Sequence, residues 1–489
     1  MLLKPFLSNA QTAPERVAAI DDTGSYTNAA LVKMAFGIGA MLKAKTQKKT
    51  VGVLLPAGAA FVASFYGTLL AGKVVVPINF LLGPREVGHI IKDSGIDTIL
   101  SAPPLAAKLA GLPVNVIDLS LLAGQVPEGA ATLVPPQQQA SDLATILYTS
   151  GTSGLPKGVC LTHGNLHEDV HACIPHARLT GEHTFLGIVP LFHSTGLLAT
   201  MLAPITLGAK VVYIARFSPA ATLAALRTHK ISVMAAVPSM YGAIIRLKDA
   251  TPADWQSMYA PLSGGEPLPA NIREAFLARF GLPICEGYGL SETIGPISFN
   301  VPGRVKAGSV GEPIPGAEFK IVDDNNNSLP PNQTGEVLIK GPMIMKGYHN
   351  LPEETAKAIM PDGFFRTGDL GHLDEEGYLF ITGRKKDLII VSGEKVYPRE
   401  IEELLVTHPA VAEAAVIGQP CDSRGEKVVA FIVPRDGETV TPDALRTFCR
   451  DQSMINWKIP KEVYVVPDLP RSPTGKVLKR ELKVPAQTV

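Results

Sequence analysis

Two stretches without a single Asp, Glu, Lys or Arg, residues 51–72 and 184–209, constrain the fold most. Each is long enough for the ~20 apolar residues of a membrane span. Each is also broken by Pro and Gly, and both divide in the same way. The first region reads VGVLLP, AAFVASFYGTLLAG and KVVVPI; the second reads FLGIVP, STGLLATMLAPITLG and AKVVYI. An apolar run ending in Pro, a small-residue helical stretch, then a Lys and a Val-Val run is a strand–helix–strand pattern. Strands buried on both faces of a parallel sheet read as continuous apolar runs. A buried α/β core is therefore expected, with no transmembrane segment, and the likeness of the two stretches suggests two wound halves. Further alternation follows, with helices expected at 222–229, 239–247 and 268–280 and a strand at 232–237.

A chain of 489 residues predicts two or three packed units. Lys+Arg 45 balances Asp+Glu 45, which argues against bulk binding to nucleic acid and leaves peripheral membrane contact open. Five scattered cysteines form no CxxC and predict a reducing, cytoplasmic setting. The N-terminus is a short apolar start broken by Pro5, which reads as no signal peptide. From Gly308 the texture turns to short strands, 319–322 and 335–339, around the polar turn DDNNNSLPPNQ. After GRKKD at 383–387 comes a compact pattern of its own. It has helices at 400–405 and 441–451 and strands at 411–417 and 428–433. The expected division is a large domain over 1–385 and a small one over 386–489.

The most informative segment is YTSGTSGLPKG at 148–158, which follows an apolar strand at 143–147. Thr149, Ser150, Thr152 and Ser153 interleave with Gly151 and Gly154, and Lys157 adds a positive charge. Hydroxyls and bare backbone N–H groups together can wrap phosphate oxygens. The segment is not a Walker A loop, since GxxxxGK[ST] is missing.

This segment resembles the signature loop of the adenylate-forming superfamily, which includes acyl-CoA synthetases, firefly-type luciferases and peptide-synthetase adenylation domains. Five further segments agree in order: GYGLSET at 287–293, FRTGDL at 365–370, GRKKD at 383–387, VSGEKVYPREIE at 391–402 and RSPTGK at 471–476. The resemblance covers essentially the whole chain. It implies an α/β fold of two wound subdomains plus a β-rich subdomain, followed by a small mobile α+β C-terminal domain. It also implies an ATP-, Mg²⁺- and coenzyme A-dependent ligase. A carboxylate attacks the α-phosphate of ATP to give acyl-adenylate and pyrophosphate, and a thiol then displaces AMP.

By the same resemblance, Glu292 holds magnesium, Tyr288 stacks on adenine, and Gly264 and Gly265 lie beside adenine and the acyl group. Glu286, Gly287, Gly289 and Thr293 fall in the same nucleotide site. Asp369 accepts from the ribose hydroxyls and Arg384 lies at the ribose–phosphate end. Lys386 is at the hinge, Gly393 lines the pantetheine channel after the small domain rotates, and Lys476 bridges carboxylate and α-phosphate. Read without the family, Glu292 is an N-terminal helix acid, Asp369 a turn residue and Lys476 a surface lysine.

PLFHSTG at 190–196 resembles the mouth of the acyl pocket, with His193 as a gate. Amino-acid-activating members usually carry Asp in FDxS; FHST here disfavours an amino acid. Leu197, Leu198, Met201, Leu202, Val237, Met240 and Tyr241 suggest an apolar acyl site, and equally a plain core. A medium- or long-chain fatty acid is the expected small-molecule carboxylate. The acceptor is coenzyme A or an acyl-carrier protein. A reading from another class is a zinc metallopeptidase, because His167, Glu168 and His171 satisfy HExxH.

Overall fold

The structure is a computed structural model that describes residues 1–122, 129–149, 155–421, 424–471 and 477–484. Ser150, Gly151, Thr152, Ser153, Gly154 and Lys476 lie outside the described residues. The chain packs as two units. One comprises Met1–Leu268, Ile272–Phe319 and Ile339–Phe365; the other comprises Pro269–Asn271, Lys320–Leu338 and Arg366–Val489. These packing units differ from the expected division into 1–385 and 386–489, which with its hinge at Lys386 concerns motion and is a proposal.

The first unit holds both apolar stretches as βαβ units. Thr50–Leu54 and Val74–Pro77 pair in parallel across the helix Ala59–Leu70. Thr184–Gly187 and Lys210–Tyr213 do the same across Ser194–Leu207. Each lies in its own sheet, so the resemblance between the stretches is that of two wound halves. In the seven-stranded sheet the order is Gly347–Tyr348, Lys157–Thr162, Leu143–Thr149, Val74–Pro77, Thr50–Leu54, Thr98–Ser101 and Asn115–Asp118. The nine-stranded sheet is parallel at its centre, from Cys285–Gly289 through Ala260–Ser263, Val233–Ala236, Thr184–Gly187 and Lys210–Tyr213 to Val17–Asp21. It is antiparallel at both edges. Its core is aromatic. Trp255, Tyr241 and Phe280 surround Phe276 with ring centroids 4.8–5.1 Å away.

The apolar N-terminal residues pack into the core. Leu3–Thr12 is a helix, and Phe6 stacks on Tyr66 at 4.1 Å. Among the described residues no helix is long and apolar enough to cross a membrane.

The second unit carries most of a four-stranded sheet, ordered Glu318–Val322, Gly335–Lys340, Phe365–Leu373 and Leu379–Arg384. It also carries a five-stranded sheet built on the long antiparallel pair Val411–Cys421 and Gly425–Pro434. The helices Pro398–Leu405 and Pro442–Asp451 bury Ile401, Leu405, Leu445 and Cys449 in a shared apolar core. This is the separate α+β pattern expected of the C-terminal residues.

Candidate active site

Ligands of open α/β sheets bind beyond the carboxyl ends of parallel strands. Several expected site residues of the first unit occupy such ends. Gly264 and Gly265 follow Ala260–Ser263, Gly287 to Gly289 end Cys285–Gly289, and His193 follows Thr184–Gly187. Close backbone approach explains the glycines. A Cβ on Gly264 would stand 3.3 Å from the Gly287 carbonyl oxygen, and one on Gly289 only 2.0 Å from that of Gly295. Glu286 is turned inward, its buried carboxylate accepting the Leu268 N–H at 2.9 Å. It thereby fixes the chain just after the glycine pair. Tyr288 is half-buried and pairs with Ser298.

Glu292 lies in a single tight turn, Ser291–Thr293. The buried Thr293 hydroxyl closes that turn by accepting the Leu290 N–H and lying 2.9 Å from the Leu290 and Gly295 carbonyl oxygens. The next residue, Ile294, is fully buried at φ 64°. A β-branched residue there costs on the order of 1–3 kcal/mol and persists only where its surroundings enforce it.

Sequence reasoning missed the partner of Glu292. The Tyr348 hydroxyl donates to Glu292 Oε1 at 2.8 Å. Tyr348 reaches that place because Gly347–Tyr348 adds an antiparallel edge to Lys157–Thr162, with Tyr348 opposite Val159. Burial, then the Glu292 charge, pushes the Tyr348 phenol well above its ordinary range, so it stays a donor. One bond to one oxygen leaves most of a carboxylate's about four acceptor sites for other use. Mg²⁺ takes oxygen ligands, commonly one or two carboxylates plus phosphates. Glu292, held in a fixed direction, fits that demand and is the residue that would hold the ion.

Thr149 and Lys157 are register partners at the end of the antiparallel pair Leu143–Thr149 and Lys157–Thr162. Lys157 Nζ donates to Glu354 Oε2 at 2.8 Å and stands 5.6 Å from the centre of the Tyr348 ring. Hydrogen bonds from Lys157 and then Lys357 hold the Glu354 carboxyl down to about 2. Glu353 and Glu354 read in sequence as plain first-turn acids of Pro352–Ala358; nothing in their spacing signals Lys157.

His193 immediately precedes the helix Ser194–Leu197, its ring centroid 5.0 Å from that of Phe192. The helix then widens into a π-helical stretch, Leu198–Leu202, a distortion frequent at functional sites. Leu197, Leu198, Met201 and Leu202 are all buried. Tyr241 belongs to the aromatic core, and its hydroxyl donates to the Leu262 carbonyl at 2.9 Å.

In the second unit Asp369 and Arg384 are register partners on adjacent strands, with Nε 3.3 Å from Oδ1. The Thr367 hydroxyl accepts the Asp369 N–H at 3.0 Å and donates to the Val337 carbonyl at 2.7 Å, which fixes the turn. Lys386 is exposed; its neighbour Lys385 pairs with the buried Glu336 at 3.1 Å. Gly393 has φ 89° and follows Ser392 at φ 53°, between the paired residues Val391 and Glu394. Positive φ at both central residues is the demand of a type I′ hairpin.

The HExxH pattern lies on the helix His163–His176. The His167 and His171 rings are 3.8 Å apart, but His171 Nδ1 donates to the His167 carbonyl at 2.8 Å. Glu168 is exposed, and no cluster of three or more His, Cys, Asp or Glu suited to a metal occurs among the described residues. Ordinary helical spacing accounts for the pattern.

Comparison with known proteins decides the family. A family model described as AMP-binding enzyme matches residues 6–349, and one described as AMP-binding enzyme C-terminal domain matches residues 400–476. The chain belongs to the AMP-binding enzyme family. Among the relatives of this AMP-binding enzyme is the long-chain-fatty-acid–CoA ligase of Bacillus subtilis (strain 168), 34% identical over 88% of this chain and 84% of that one. The sulfoacetate–CoA ligase of Cupriavidus necator is 35% identical over 89% and 87%. A solved structure of the o-succinylbenzoate CoA synthetase of Bacillus subtilis with its acyl-adenylate intermediate superposes with a TM-score of 0.90. It is 31% identical and covers 98% of each chain. The same synthetase has also been solved with ATP and magnesium ion, at a TM-score of 0.89, 32% identity and 98% coverage of each chain.

Proposed function

We propose that this AMP-binding enzyme is an acid–coenzyme A ligase that consumes ATP with magnesium. The observation that carries the reading is the row Lys157, Tyr348, Glu292. It brings a cation and a fixed carboxylate to one aromatic residue, and Lys157 belongs in sequence to the expected phosphate-binding segment. Joining a carboxylate to a triphosphate brings two anions together. Positioned positive charge and donors must stand where negative charge gathers.

In the first step a carboxylate oxygen of the acid attacks the α-phosphorus, and the bond to pyrophosphate breaks. Thr149 to Gly154 and Lys157 bind the phosphates in this reading. Asp369 and Arg384 hold the ribose end, and Lys476 delivers the cation at the reacting oxygens. Glu292 would hold the magnesium ion, which when bound would supply charge neutralisation on the phosphates. In the second step the coenzyme A sulfur attacks the acyl carbonyl and AMP leaves, with Gly393 beside the pantetheine arm after rotation about Lys386. An acyl-carrier protein would present the same pantetheine thiol.

The acid is a medium- or long-chain fatty acid in this proposal. The support is the buried apolar run behind His193 and the His in FHST where amino-acid-activating members usually carry Asp. The relatives act on unlike acids, so the test is comparative. Pyrophosphate exchange is measured with octanoate, palmitate, sulfoacetate, o-succinylbenzoate and phenylalanine, then thioester formation with coenzyme A and with acyl-carrier protein. Exchange with the fatty acids and transfer to coenzyme A are expected. Exchange with sulfoacetate or o-succinylbenzoate alone would overturn the fatty acid, and no exchange with any acid would overturn the ligase.

A further inference from the structure

Lys157 meets Glu354 across a sequence separation of 197 residues. Two devices bring them together. The Gly347–Tyr348 edge pairs with the strand that starts at Lys157, and the His349 N–H donates to the Gly158 carbonyl at 2.7 Å. The Thr355 hydroxyl then accepts the Tyr348 N–H at 2.9 Å and ties the helix Pro352–Ala358 to that edge. Gly347 permits the tie. At φ 149° it passes so close to Thr355 that a Cβ would lie 2.7 Å from its Cγ2. The outcome is a row of four groups: the Glu354 carboxylate, the Lys157 ammonium, the Tyr348 ring and the Glu292 carboxylate.

We propose that Glu354 is a positioning residue that parks Lys157 as an internal counterion, and that the triphosphate of ATP displaces it. This rests on the reading of Lys157 as a phosphate-binding cation. Glu354 touches no substrate in the proposal and acts through Lys157. The pair is suited to exchange. Both side chains retain solvent contact, so the bond between them is weak, and Lys357 also donates to Glu354, at 3.0 Å. Glu354 holds Lys157 in place while no nucleotide is present. It competes with the phosphates for Lys157 when they arrive.

The experiment is MgATP binding to the full chain by calorimetry, without any acid, at low and at 0.5 M salt (about a 4 Å screening length at the higher value). Glu354→Gln is expected to lower Kd about two- to five-fold at low salt, with the gain shrinking at high salt. Glu354→Asp, which keeps the charge, should bind like the wild type. Glu353→Gln removes a neighbouring exposed charge and should do the same. In a Lys157→Ala background the Glu354→Gln gain should vanish, which a merely structural role would not produce. An unchanged or raised Kd in Glu354→Gln, an equal gain in Glu353→Gln, or a gain that survives Lys157→Ala would each overturn the latch. A wild-type chain that binds no MgATP would instead overturn the nucleotide reading, and the latch with it.

Discussion

Each packing unit holds an expected nucleotide residue in an ion pair, and the two pairs have opposite polarity. In Lys157–Glu354 the cation is the inner member, with 23% of its side chain exposed against 37% for the acid. In Arg384–Asp369 the acid is inner, at 7%, and the cation outer, at 52%. A group that is held, rather than merely solvated, should be the one the ligand needs. Phosphates need a cation and ribose hydroxyls need an acceptor, which is the assignment proposed for Lys157 and Asp369. On this proposal Glu354, and Arg384 in addition to its place at the ribose end, would hold the inner charge in position. The difference in construction follows. Asp369 and Arg384 face each other by strand register alone, whereas Lys157 and Glu354 need a sheet edge and a clamped helix.

The largest effect should come from a cation belonging to neither pair. Lys476→Ala is expected to reduce pyrophosphate exchange by ~10²–10³, the scale of one electrostatic stabiliser at a reacting centre. It should largely spare thioester formation from supplied acyl-adenylate. Equal loss in both half-reactions would return Lys476 to the class of Lys157, a binding charge.

Removing an inner member should come next. Asp369→Ala is expected to lower kcat/KM for ATP by ~10–100-fold, as for lost hydrogen bonds to a charged group. Arg384→Ala should cost only a few-fold, since an exposed ion pair contributes little. A larger loss from the outer Arg384 would break the inner–outer rule in the second unit.

The two pairs also differ in how far sequence could reveal them. FRTGDL and GRKKD are each visible as motifs, and their pairing follows once both segments are strands. The apolar stretches 51–72 and 184–209 were legible as βαβ for a similar reason, since period and turn residues are local. Glu292 was visible as a motif acid, but its orientation was not. Tyr348 is supplied by an edge strand of two residues with no periodicity. Glu286 shows the converse: it lies in the motif region, yet its carboxylate serves the Leu268 amide. Ile294 carries no sequence sign of its left-handed backbone, because strain is imposed by packing rather than by the residue's own preference.

Tyr348 links the inner cation of the first unit to Glu292, the proposed magnesium acid, so it tests whether that row is one device. Tyr348→Phe keeps the ring under Lys157 and removes the bond to Glu292. The expected result is roughly a ten-fold higher magnesium concentration for half-maximal exchange, with the ATP Kd measured without metal unchanged. If both parameters moved together, the ring rather than the hydroxyl would carry the effect.

The smallest expected effect concerns the other end of the Lys157 strand, where a potential cation is denied its charge. Lys157–Thr162 runs directly into His163, which is buried. Burial lowers its pKa to about 4, whereas the unfolded imidazole protonates near pH ~6.5. Between those values the unfolded chain binds the extra proton. Stability therefore falls as pH drops from about 6.5 towards 4, with no contribution from this group above that window. Wild type should lose on the order of a few °C more in Tm across it than His163→Gln. The variant's lower absolute stability is immaterial, because only the slope is compared. Parallel curves would mean that His163 accepts its proton in the fold. The contrast between a strand that begins with a kept charge and ends beside a suppressed one would then be lost.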